Sequence, residues 1–549
     1  MAPKVFVLSC DGAPLFLVER WAREGHLPAF ASLLEGGAKG DLESVYPPIT
    51  GPAWTSFMTG RNPGKHGVAD WYVRSQGSYK LRPVDSTSIG VSTIWDEARE
   101  GGKRIISLGL PMNYPPPKVN GIVVSGLETP GTQCATFPPE VGERITKAIP
   151  TFRTHLQEVY RPGGEKRAID DLLEITDIQS DVALHMLDTE EDWDLLLLHH
   201  QSSDWAMHFF WHAMDPEHPR YSDASNAAAG NAILDVFRRI DDGLGRILSK
   251  LPEDTTVLVV SDHGFGVLDK YLYLNNWLLE LGLLKLKVDA KTQITRAMFK
   301  MGFTPSNVYR LAEKLGLNKF AFRMDKTSRV NILSKMFLSS DDIDWPATQA
   351  YSVGNIGQVY VNLKGREPQG RVAQGREYEE VRDRIIASAL ELTDPDTGEK
   401  VIEKAQRKEE VYSGPFTHDL PDVLLVPQGF RYQAGGLTQF MSNRLMEPSF
   451  AYTGGHRMNG ILLLSGPGVE PGEVDGARLI DIAPSILHLL GLAVPADMDG
   501  VVLPQLRGDE ASVATRPDAA AATDSASDGY SEEEEREVAE RLRSLGYVE

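Results

Sequence analysis

The sequence predicts a mixed α/β fold in which a mostly parallel sheet is covered by helices on both faces. Short apolar runs typical of buried strands recur along the chain, as at Val5–Ser9, Leu195–Leu198 and Thr255–Val260. Long stretches with helical spacing lie between these runs, and consecutive parallel strands require connections of that length. The 549 residues suffice for one large α/β domain and an insertion.

The predicted elements alternate in order along the chain. An amphipathic stretch near Leu15–Glu24 follows the first strand, and further strands are expected at Arg104–Leu108 and Ile122–Ser125. A helical stretch at about Asn226–Leu251 then leads into the strand Thr255–Val260. Ligands of open parallel sheets bind beyond the carboxyl ends of the strands, so the residues directly after these strands are the candidates for a functional site.

Two regions depart from this alternation. Residues at about 268–345 contain helical patterns and frequent Lys and Arg, which predicts a helical insertion or cap bordering the site. Residues 508–531 are rich in Ala, Ser, Thr and Asp, as in a flexible linker. Residues 532–549 predict a charged amphipathic helix with Val538, Leu542 and Leu545 on one side, which docks either on the core or on a second subunit.

Composition excludes several classes of protein. The formal net charge of -21 argues against general nucleic-acid binding. Two cysteines, Cys10 and Cys134, provide no disulfide framework and indicate a reducing compartment. The N-terminal apolar run is too short for a signal peptide, and no window approaches the roughly 18 apolar residues of a membrane span. We therefore expect a cytoplasmic protein, whose oligomeric state the sequence leaves open.

Acidic and imidazole side chains recur where predicted strands end. The set comprises three aspartates and three histidines: Asp11, Asp204, His208, Asp262, His263 and His456. Asp204 and His208 are four residues apart and share one face if a helix begins there. Taken alone, the pair Asp11–Gly12 also fits an ordinary turn. Together the six residues match two metal sites, and mixed Asp and His ligands suit Zn²⁺ best, with Mn²⁺ or Fe as alternatives.

A threonine at the start of a predicted helix is the candidate nucleophile. The run Pro47–Gly60 predicts a helix with Thr50 as its N-cap, Pro52 in its first turn and Gly60 at its end. One interpretation of Thr50 is a cap and nothing more. The other is catalytic, because a hydroxyl at a helix N-terminus faces N–H groups that favour a phosphoryl group, and a bound metal would lower its pKa.

Together these motifs resemble the alkaline phosphatase superfamily and, within it, the type I phosphodiesterase/nucleotide pyrophosphatase group. The closest resemblance is to members described as predicted phosphohydrolases or phosphomutases, and it covers roughly residues 3–507. The group's order Thr-x-Pro, Thr-Gly and Pro-x-x-His-Gly is matched by Thr50, Pro52, Thr59, Gly60, Pro63, His66 and Gly67. The segments Asp481–Gly491 and Met498–Gly500 match the superfamily's C-terminal signatures.

The resemblance implies an alkaline-phosphatase-like catalytic domain over residues 1–507 with two divalent metal ions. One ion would be held by Asp11, Thr50, Asp262 and His263, and the other by Asp204, His208 and His456. In the family, two such ions clamp the attacking and leaving oxygens of a displacement at phosphorus. Thr50 would form a phospho-enzyme intermediate, which water then releases.

One position departs from the pattern of the nucleotide pyrophosphatases. They place an Asn shortly after the His-Gly motif, where it contacts a phosphoryl oxygen, and the equivalent residue here is Trp71. A bulky ring in the pocket predicts weak activity on dinucleotides and ATP; alternatively, Trp71 points into the core. The sulfatase branch requires a convertible Cys or Ser followed by an Arg, and the register Thr50–Trp54 contains neither.

Three functions follow from these observations. The first is a metal-dependent phosphohydrolase that cleaves phosphate mono- or diesters through a phospho-threonine intermediate. The second is a phosphotransferase or phosphomutase of the same superfamily, and the third is a non-catalytic binding protein that retains the fold. The complete set of ligands argues against the third. The expected partner is a small-molecule or lipid-like phosphate ester.

Overall fold

The large central sheet contains the strands that the sequence predicts. The computed structural model describes residues 4–75, 77–131, 134–158, 160–314, 337–436, 440–449, 452–506, 513–517 and 529–544. Across the sheet the strands follow in the order Gly472–Glu473, Ala38–Glu43, Asn459–Ser465, Thr256–Val260, Val5–Cys10, Leu195–His200, Ile105–Leu108, Gly121–Val124 and Thr136–Phe137. A tenth strand, Ala477–Arg478, pairs with Ala38–Glu43.

The first strand, Val5–Cys10, lies inside the sheet and runs parallel to both of its neighbours, Leu195–His200 and Thr256–Val260. All three strands are buried along their whole length, which explains their uninterrupted apolar sequences. Cys10 is in register with His200, and all three strands end at the same edge of the sheet. The residues that directly follow the strands therefore meet at that edge.

Helices surround this sheet, and the predicted α/β class is confirmed. The helices of the described residues are Leu15–Arg23, Pro28–Gly36, Thr50–Thr59, Pro63–His66, Ile94–Glu100, Glu140–Ala148, Glu165–Thr189, Ser202–Met214, Asp223–Ala229, Ala232–Leu248, Leu274–Glu280, Ala290–Lys300, Pro305–Lys314, Arg376–Leu390, Ile482–Leu489 and Glu532–Ser544. Where the chain is described, no helix combines the length and apolar composition that crossing a membrane requires.

The described residues between 270 and 449 form a second unit with its own apolar core. A three-stranded sheet consists of Tyr432–Gly435, Lys270–Tyr273 and Met446–Pro448, and a four-stranded antiparallel sheet consists of Ala350–Ser352, Gln358–Val361, Val423–Pro427 and Ile402–Arg407. Three helices lie between residues 274 and 314, within the predicted insertion at about 268–345, of which residues 315–336 lie outside the described part. Tyr351 belongs to the second unit, and the chain rejoins the large sheet at Asn459–Ser465.

The remaining described strands form three two-stranded sheets. Their members are Gly264–Val267 with Gly454–Arg457, Tyr72–Arg74 with Leu81–Pro83, and Val494–Pro495 with Thr515–Arg516. The first of these pairs joins the end of the Asp-His motif to the segment that contains His456.

The C-terminal helix Glu532–Ser544 packs against the main unit. Val538 and Leu542 are fully buried in the main core, whereas Leu545 and most of the predicted linker 508–531 lie outside the described residues. Arg541 donates hydrogen bonds to the backbone carbonyls of Leu127, Thr129 and Gly131. The helix thus covers the loop after the strand Gly121–Val124.

Candidate active site

Asp11, Asp262 and His263 converge at the carboxyl edge of the central strands and are fully buried. His263 Nε2 lies 3.7 Å from Asp11 Oδ1 and 3.3 Å from Asp262 Oδ2. The N–H of Gly12 donates to Asp262 Oδ1 at 3.1 Å. Gly12 has φ +68°, and a Cβ at this position would lie 2.9 Å from the Phe265 ring. The turn after the first strand therefore requires glycine, and it also orients a site carboxylate.

Asp204, His208 and His456 form a second cluster of the same kind. Asp204 and His208 lie one turn apart on the helix Ser202–Met214, as their spacing predicts. Asp204 Oδ1 is 3.4 Å from Nε2 of both His208 and His456.

The two clusters are adjacent because of one strand pairing. His456 lies in Gly454–Arg457, which pairs antiparallel with Gly264–Val267 directly after His263. The rings of His263 and His456 stack with centroids 3.6 Å apart and planes inclined by 21°. The structure therefore brings all six predicted Asp and His residues together, although they are spread from residue 11 to residue 456.

The three histidines share one orientation. In each, ring Nδ1 faces a backbone carbonyl: His208 faces Gly454 at 2.9 Å, His263 faces Gly264 at 3.1 Å and His456 faces Pro48 at 2.7 Å. We assign the ring proton to Nδ1 on this basis, which leaves the Nε2 lone pairs directed at the clusters. This second-sphere arrangement is the usual one for metal-binding histidines.

The carboxylates also fit a metal centre. Asp11 Oδ1 and Asp262 Oδ2 are buried and accept no hydrogen bond from the described residues. Burial, with the charges of Asp262 and Asp204, raises the pKa of Asp11 well above its ordinary value, and burial likewise raises the pKa of Asp262. Burial also acts to raise the pKa of Asp204, but His208 and His456 outweigh it and lower that pKa. Divalent cations would neutralise the negative charge of these buried carboxylates. Mixed oxygen and imidazole donors suit Zn²⁺, Mn²⁺ or Fe.

Thr50 lies in the first turn of the helix Thr50–Thr59, and its side chain is fully buried. Its Oγ1 is 3.5 Å from His263 Nε2. The prediction that Thr50 is the N-cap is wrong by one residue, because Ile49 takes that position with an extended backbone. Gly60 ends the helix as predicted, with φ +64°. The Thr50 hydroxyl therefore faces the first cluster.

Sequence reasoning missed two residues that support Asp11, Trp54 and Gln201. Trp54 Nε1 donates to Asp11 Oδ2 at 2.9 Å, and the Gln201 side chain also hydrogen bonds to this carboxylate. His199 Nε2 lies 3.6 Å from Asp11 Oδ2, and burial lowers the pKa of His199 to about 4. The signal for Trp54 was present, because Thr50 and Trp54 are four residues apart on one helix and thus share a face.

Two cations that follow the Thr50 helix belong to the scaffold. Arg61 is fully buried and donates to both carboxylate oxygens of Asp497 at 2.8 and 2.5 Å. Lys65 donates to Asp499 Oδ1 at 2.6 Å. Both carboxylates lie near the C-terminal signature, so these pairs attach that segment to the end of the helix.

Trp71 belongs to the main core. It is fully buried, and a Cβ on Gly51 would lie 3.3 Å from its ring. The ring therefore packs beneath the first turn of the Thr50 helix, as the alternative interpretation of the sequence expected. Glycine at position 51 permits this close approach.

A match to a family model gives the class of protein, a phosphoric ester hydrolase of the metal-dependent alkaline phosphatase superfamily. The fold and the paired clusters agree with this class. The chain belongs to the type I phosphodiesterase / nucleotide pyrophosphatase family, whose model matches residues 5–435. The recognition made from the motifs is thereby confirmed. The matched range ends before His456, which the structure brings to the same site.

Solved structures show the same fold. Two of phosphonoacetate hydrolase from Sinorhizobium meliloti 1021, in complex with phosphonoformate and with phosphonoacetate, align with a TM-score of 0.53 each. Their sequences are 13% and 14% identical to this chain, and the alignments cover 89% of this chain and 96% of theirs. No curated protein matches the chain by sequence.

Proposed function

We propose that this protein hydrolyses phosphate mono- or diesters through a covalent phosphothreonine at Thr50, with two divalent metal ions. The observation that carries the proposal is the distance of 3.5 Å between Thr50 Oγ1 and His263 Nε2, beside two adjacent ligand clusters. Membership of the family supports the reaction class, and this geometry supports the residue roles.

Two ions fit the donor atoms described above. One would be held by Asp11, Thr50, Asp262 and His263, and the other by Asp204, His208 and His456. When bound, such a pair of ions polarises the phosphoryl oxygens and stabilises the attacking and leaving oxygens. Zn²⁺ is the first choice for this mixed Asp and His set, with Mn²⁺ or Fe as alternatives.

The residues of the chain position the reacting groups. Thr50 attacks phosphorus, so that a bond from Oγ1 to phosphorus forms while the ester P–O bond breaks. The hydroxyl of Thr50 loses its proton and the leaving alkoxide gains one, so the alcohol departs with no net change in protons. The first turn of the helix Thr50–Thr59 directs its positive end toward the phosphoryl oxygens, where negative charge must be stabilised. Water then attacks phosphorus, which restores Thr50 and releases inorganic phosphate from a monoester or a phosphomonoester from a diester.

Kinetics of Thr50 variants test this proposal. Protein reconstituted with Zn²⁺ or Mn²⁺ is expected to release the alcohol from aryl phosphate mono- or diesters. Thr50→Ala should abolish turnover and the phosphorylated species seen by intact-protein mass spectrometry, while Thr50→Ser keeps some activity because it retains a hydroxyl. Thr59→Ala, at the other end of the same helix, is the matched control.

Three outcomes would contradict the proposal. Wild-type protein that cleaves no ester with any of these metals is not a phosphohydrolase. Undiminished turnover by Thr50→Ala excludes the covalent route. An isomerised product without release of phosphate would identify the protein as a phosphomutase instead.

We also propose a domain organisation and a cellular compartment for the protein. Residues 1–507 would form the catalytic domain, with the second unit as its insertion and the C-terminal helix as a separate element. The two cysteines are free thiols, which supports a reducing compartment such as the cytoplasm.

A further inference from the structure

A small cavity adjoins the second cluster. Its wall includes His208, His456 and Ile49, the residue that directly precedes Thr50. Atoms of oxygen size can occupy about 50 Å³ of this cavity. One such atom needs roughly 10–15 Å³, so the space holds a few oxygen atoms and is too small for a bulky organic group. Its size and its position beside the nucleophile and two imidazoles suit the phosphoryl group of an ester.

The second unit supplies part of the wall of this cavity. Asn355 comes from the loop between the strands Ala350–Ser352 and Gln358–Val361, and Gln433 comes from the strand Tyr432–Gly435. Both side chains end in an uncharged amide, whose nitrogen can donate two hydrogen bonds. The second unit therefore brings two neutral donors to the same space as the histidines of the second cluster.

The loop that carries Asn355 is fixed at both ends. The carbonyl of Gly354 accepts from the N–H of Gly436, and the N–H of Gly357 donates to the carbonyl of Ala434, each at 2.9 Å. Asn355 lies between these two attachments. Its position is therefore set before a ligand binds, which reduces the entropy that binding costs.

Asp70 of the main unit orients the Asn355 side chain. This buried carboxylate accepts from the backbone N–H of Asn355 at 3.2 Å and from its Nδ2 at 3.1 Å. Since an ionised carboxylate only accepts hydrogen bonds, the nitrogen end of the amide faces Asp70, and its second N–H points away from Asp70. The next residue, Trp71, packs beneath the first turn of the Thr50 helix. Asn355 is thereby attached to the same scaffold as the nucleophile.

Gln433 offers a second donor. Its side chain is half-buried and hydrogen bonds to no described residue. Its amide can therefore donate to a ligand without breaking a contact with the described protein. No described Lys or Arg lines the cavity. Under the proposed function, positive charge at a bound phosphoryl group would come from the metal ions, and the amides would add directed hydrogen bonds.

We propose, on the basis of the function proposed above, that the amides of Asn355 and Gln433 donate hydrogen bonds to oxygens of the phosphoryl group, with Asp70 as the positioning residue for Asn355. The second unit then takes part in substrate binding and does not only surround the site. Because an amide donor is neutral, it can serve the phosphoryl oxygens of a monoester and of a diester alike.

Titration calorimetry with inorganic phosphate tests the contact, since this ligand has the phosphoryl oxygens but no organic group. With the metal-loaded full chain, Asn355→Ala and Gln433→Ala should each raise the Kd for phosphate by about tenfold, as expected for one lost hydrogen bond to a charged group. The value of kcat/KM should fall by a similar factor for phenyl phosphate and for 4-nitrophenyl phosphate. Metal content and Tm should equal those of the wild type.

Asn443→Ala is the matched control. Asn443 is a half-buried asparagine of the second unit, and its Nδ2 donates to the carbonyl of Lys300 at 3.3 Å. It does not line the cavity, so its removal should leave the Kd for phosphate unchanged.

A double variant tests the role of Asp70. Asp70→Asn keeps the shape of the side chain but removes the charge that holds the Asn355 amide. It should weaken phosphate binding in the otherwise wild-type protein and have no further effect in the Asn355→Ala background, because the two residues act through one contact. An equal additional loss in both backgrounds would contradict the role assigned to Asp70.

The outcomes separate this inference from the proposed function. Unchanged phosphate affinity in Asn355→Ala and Gln433→Ala, with active wild-type protein, overturns the inference alone. A weaker affinity that is accompanied by loss of metal or a lower Tm also overturns it, because the residues would then act on the fold. Wild-type protein that cleaves no ester overturns the proposed function instead.

Discussion

His208 and His456 face each other with their Nε2 atoms 3.0 Å apart, while the Nδ1 atom of each donates to a backbone carbonyl. With the ring protons on Nδ1, two nitrogen lone pairs point at one another beside the Asp204 carboxylate. Such an arrangement is favourable only when a cation lies between the donors. This geometry supports the proposal that the second cluster holds a metal ion. Four predictions concern this cluster and the scaffold around it.

The first prediction concerns metal content. His456→Ala removes one donor of the second cluster and the ring that stacks on His263, so bound metal after reconstitution should fall from about two equivalents to about one. Elemental analysis by mass spectrometry measures this directly. His418→Ala is the control, because that ring is largely exposed. Two equivalents in the His456 variant would remove this residue from the ligand set.

The second prediction concerns Trp54 as a positioning residue for Asp11. Trp54→Phe keeps an aromatic ring against Phe57 but removes the N–H that binds Asp11 Oδ2. Loss of such a support typically weakens metal affinity or activity by about 10–100-fold. Chelator competition should show weaker binding of one metal equivalent, with kcat restored in part by excess metal.

Trp95→Phe is the matched control for this experiment. Trp95 is equally buried, and its N–H binds Asn113 Oδ1 at 3.1 Å instead of a cluster residue. If both variants lose metal affinity to the same extent, the effect of Trp54 is one of packing only.

The third prediction concerns the pH dependence of stability. Burial raises the pKa of Glu128 from 4.5 to about 7 in the folded protein. The folded state therefore binds this proton more tightly than the unfolded state, so the contribution to stability is complete below pH 4.5 and is lost as the pH rises through about 7.

Glu128→Gln should remove this dependence. Between pH 5 and 7 the slope of the unfolding free energy against pH should become less negative by up to about 1.4 kcal/mol per pH unit. Chemical denaturation of both proteins across this range measures the slope. Parallel curves would show that Glu128 has an ordinary pKa in the folded state.

The fourth prediction concerns the C-terminal helix. Leu542 is fully buried, and Leu542→Ala should destabilise the docked helix by about 2–5 kcal/mol. Limited proteolysis should then cleave near the C-terminus at lower protease concentrations, and Tm should fall. Val501→Ala removes an exposed side chain and should change stability by less than about 0.5 kcal/mol. Equal protease resistance of the two variants would refute docking of this helix in solution.

The sequence was sufficient to predict the central strands and the convergence of the six Asp and His residues. Uninterrupted Val, Ile and Leu runs identify strands that are buried on both faces, and parallel strands share an edge at their carboxyl ends. For example, the strand Thr255–Val260 was predicted within one residue of the observed Thr256–Val260. His456 was predicted from its position just before the strand that begins near Ile461, but the pairing that brings it to the site joins segments almost two hundred residues apart and was not predicted.

Other features could not be predicted, because they depend on contacts distant in sequence. The supports of Asp11 join residues 11, 54 and 201. Helical spacing relates Trp54 to Thr50, but no local pattern relates either of them to Asp11 or to Gln201. The helical prediction covered only residues at about 268–345, and the four-stranded sheet that follows was not predicted, because it pairs Gln358–Val361 with Val423–Pro427 across about sixty residues of intervening chain. The N-cap of the helix Thr50–Thr59 is Ile49, one residue before the predicted Thr50. Cap preferences of about 1 kcal/mol are too small to fix a helix boundary that the geometry of the site determines.

The spread of the ligand residues has a consequence for the order of biosynthesis. The hydrogen bond between Gly12 and Asp262 closes a loop of 250 residues, and His456 follows almost two hundred residues later. A nascent chain emerging from the ribosome therefore cannot assemble either cluster until its distant members have been synthesised. The second cluster lacks His456 until most of the polypeptide has been made, so under the proposed function we expect binding of the second ion to be a late step of maturation.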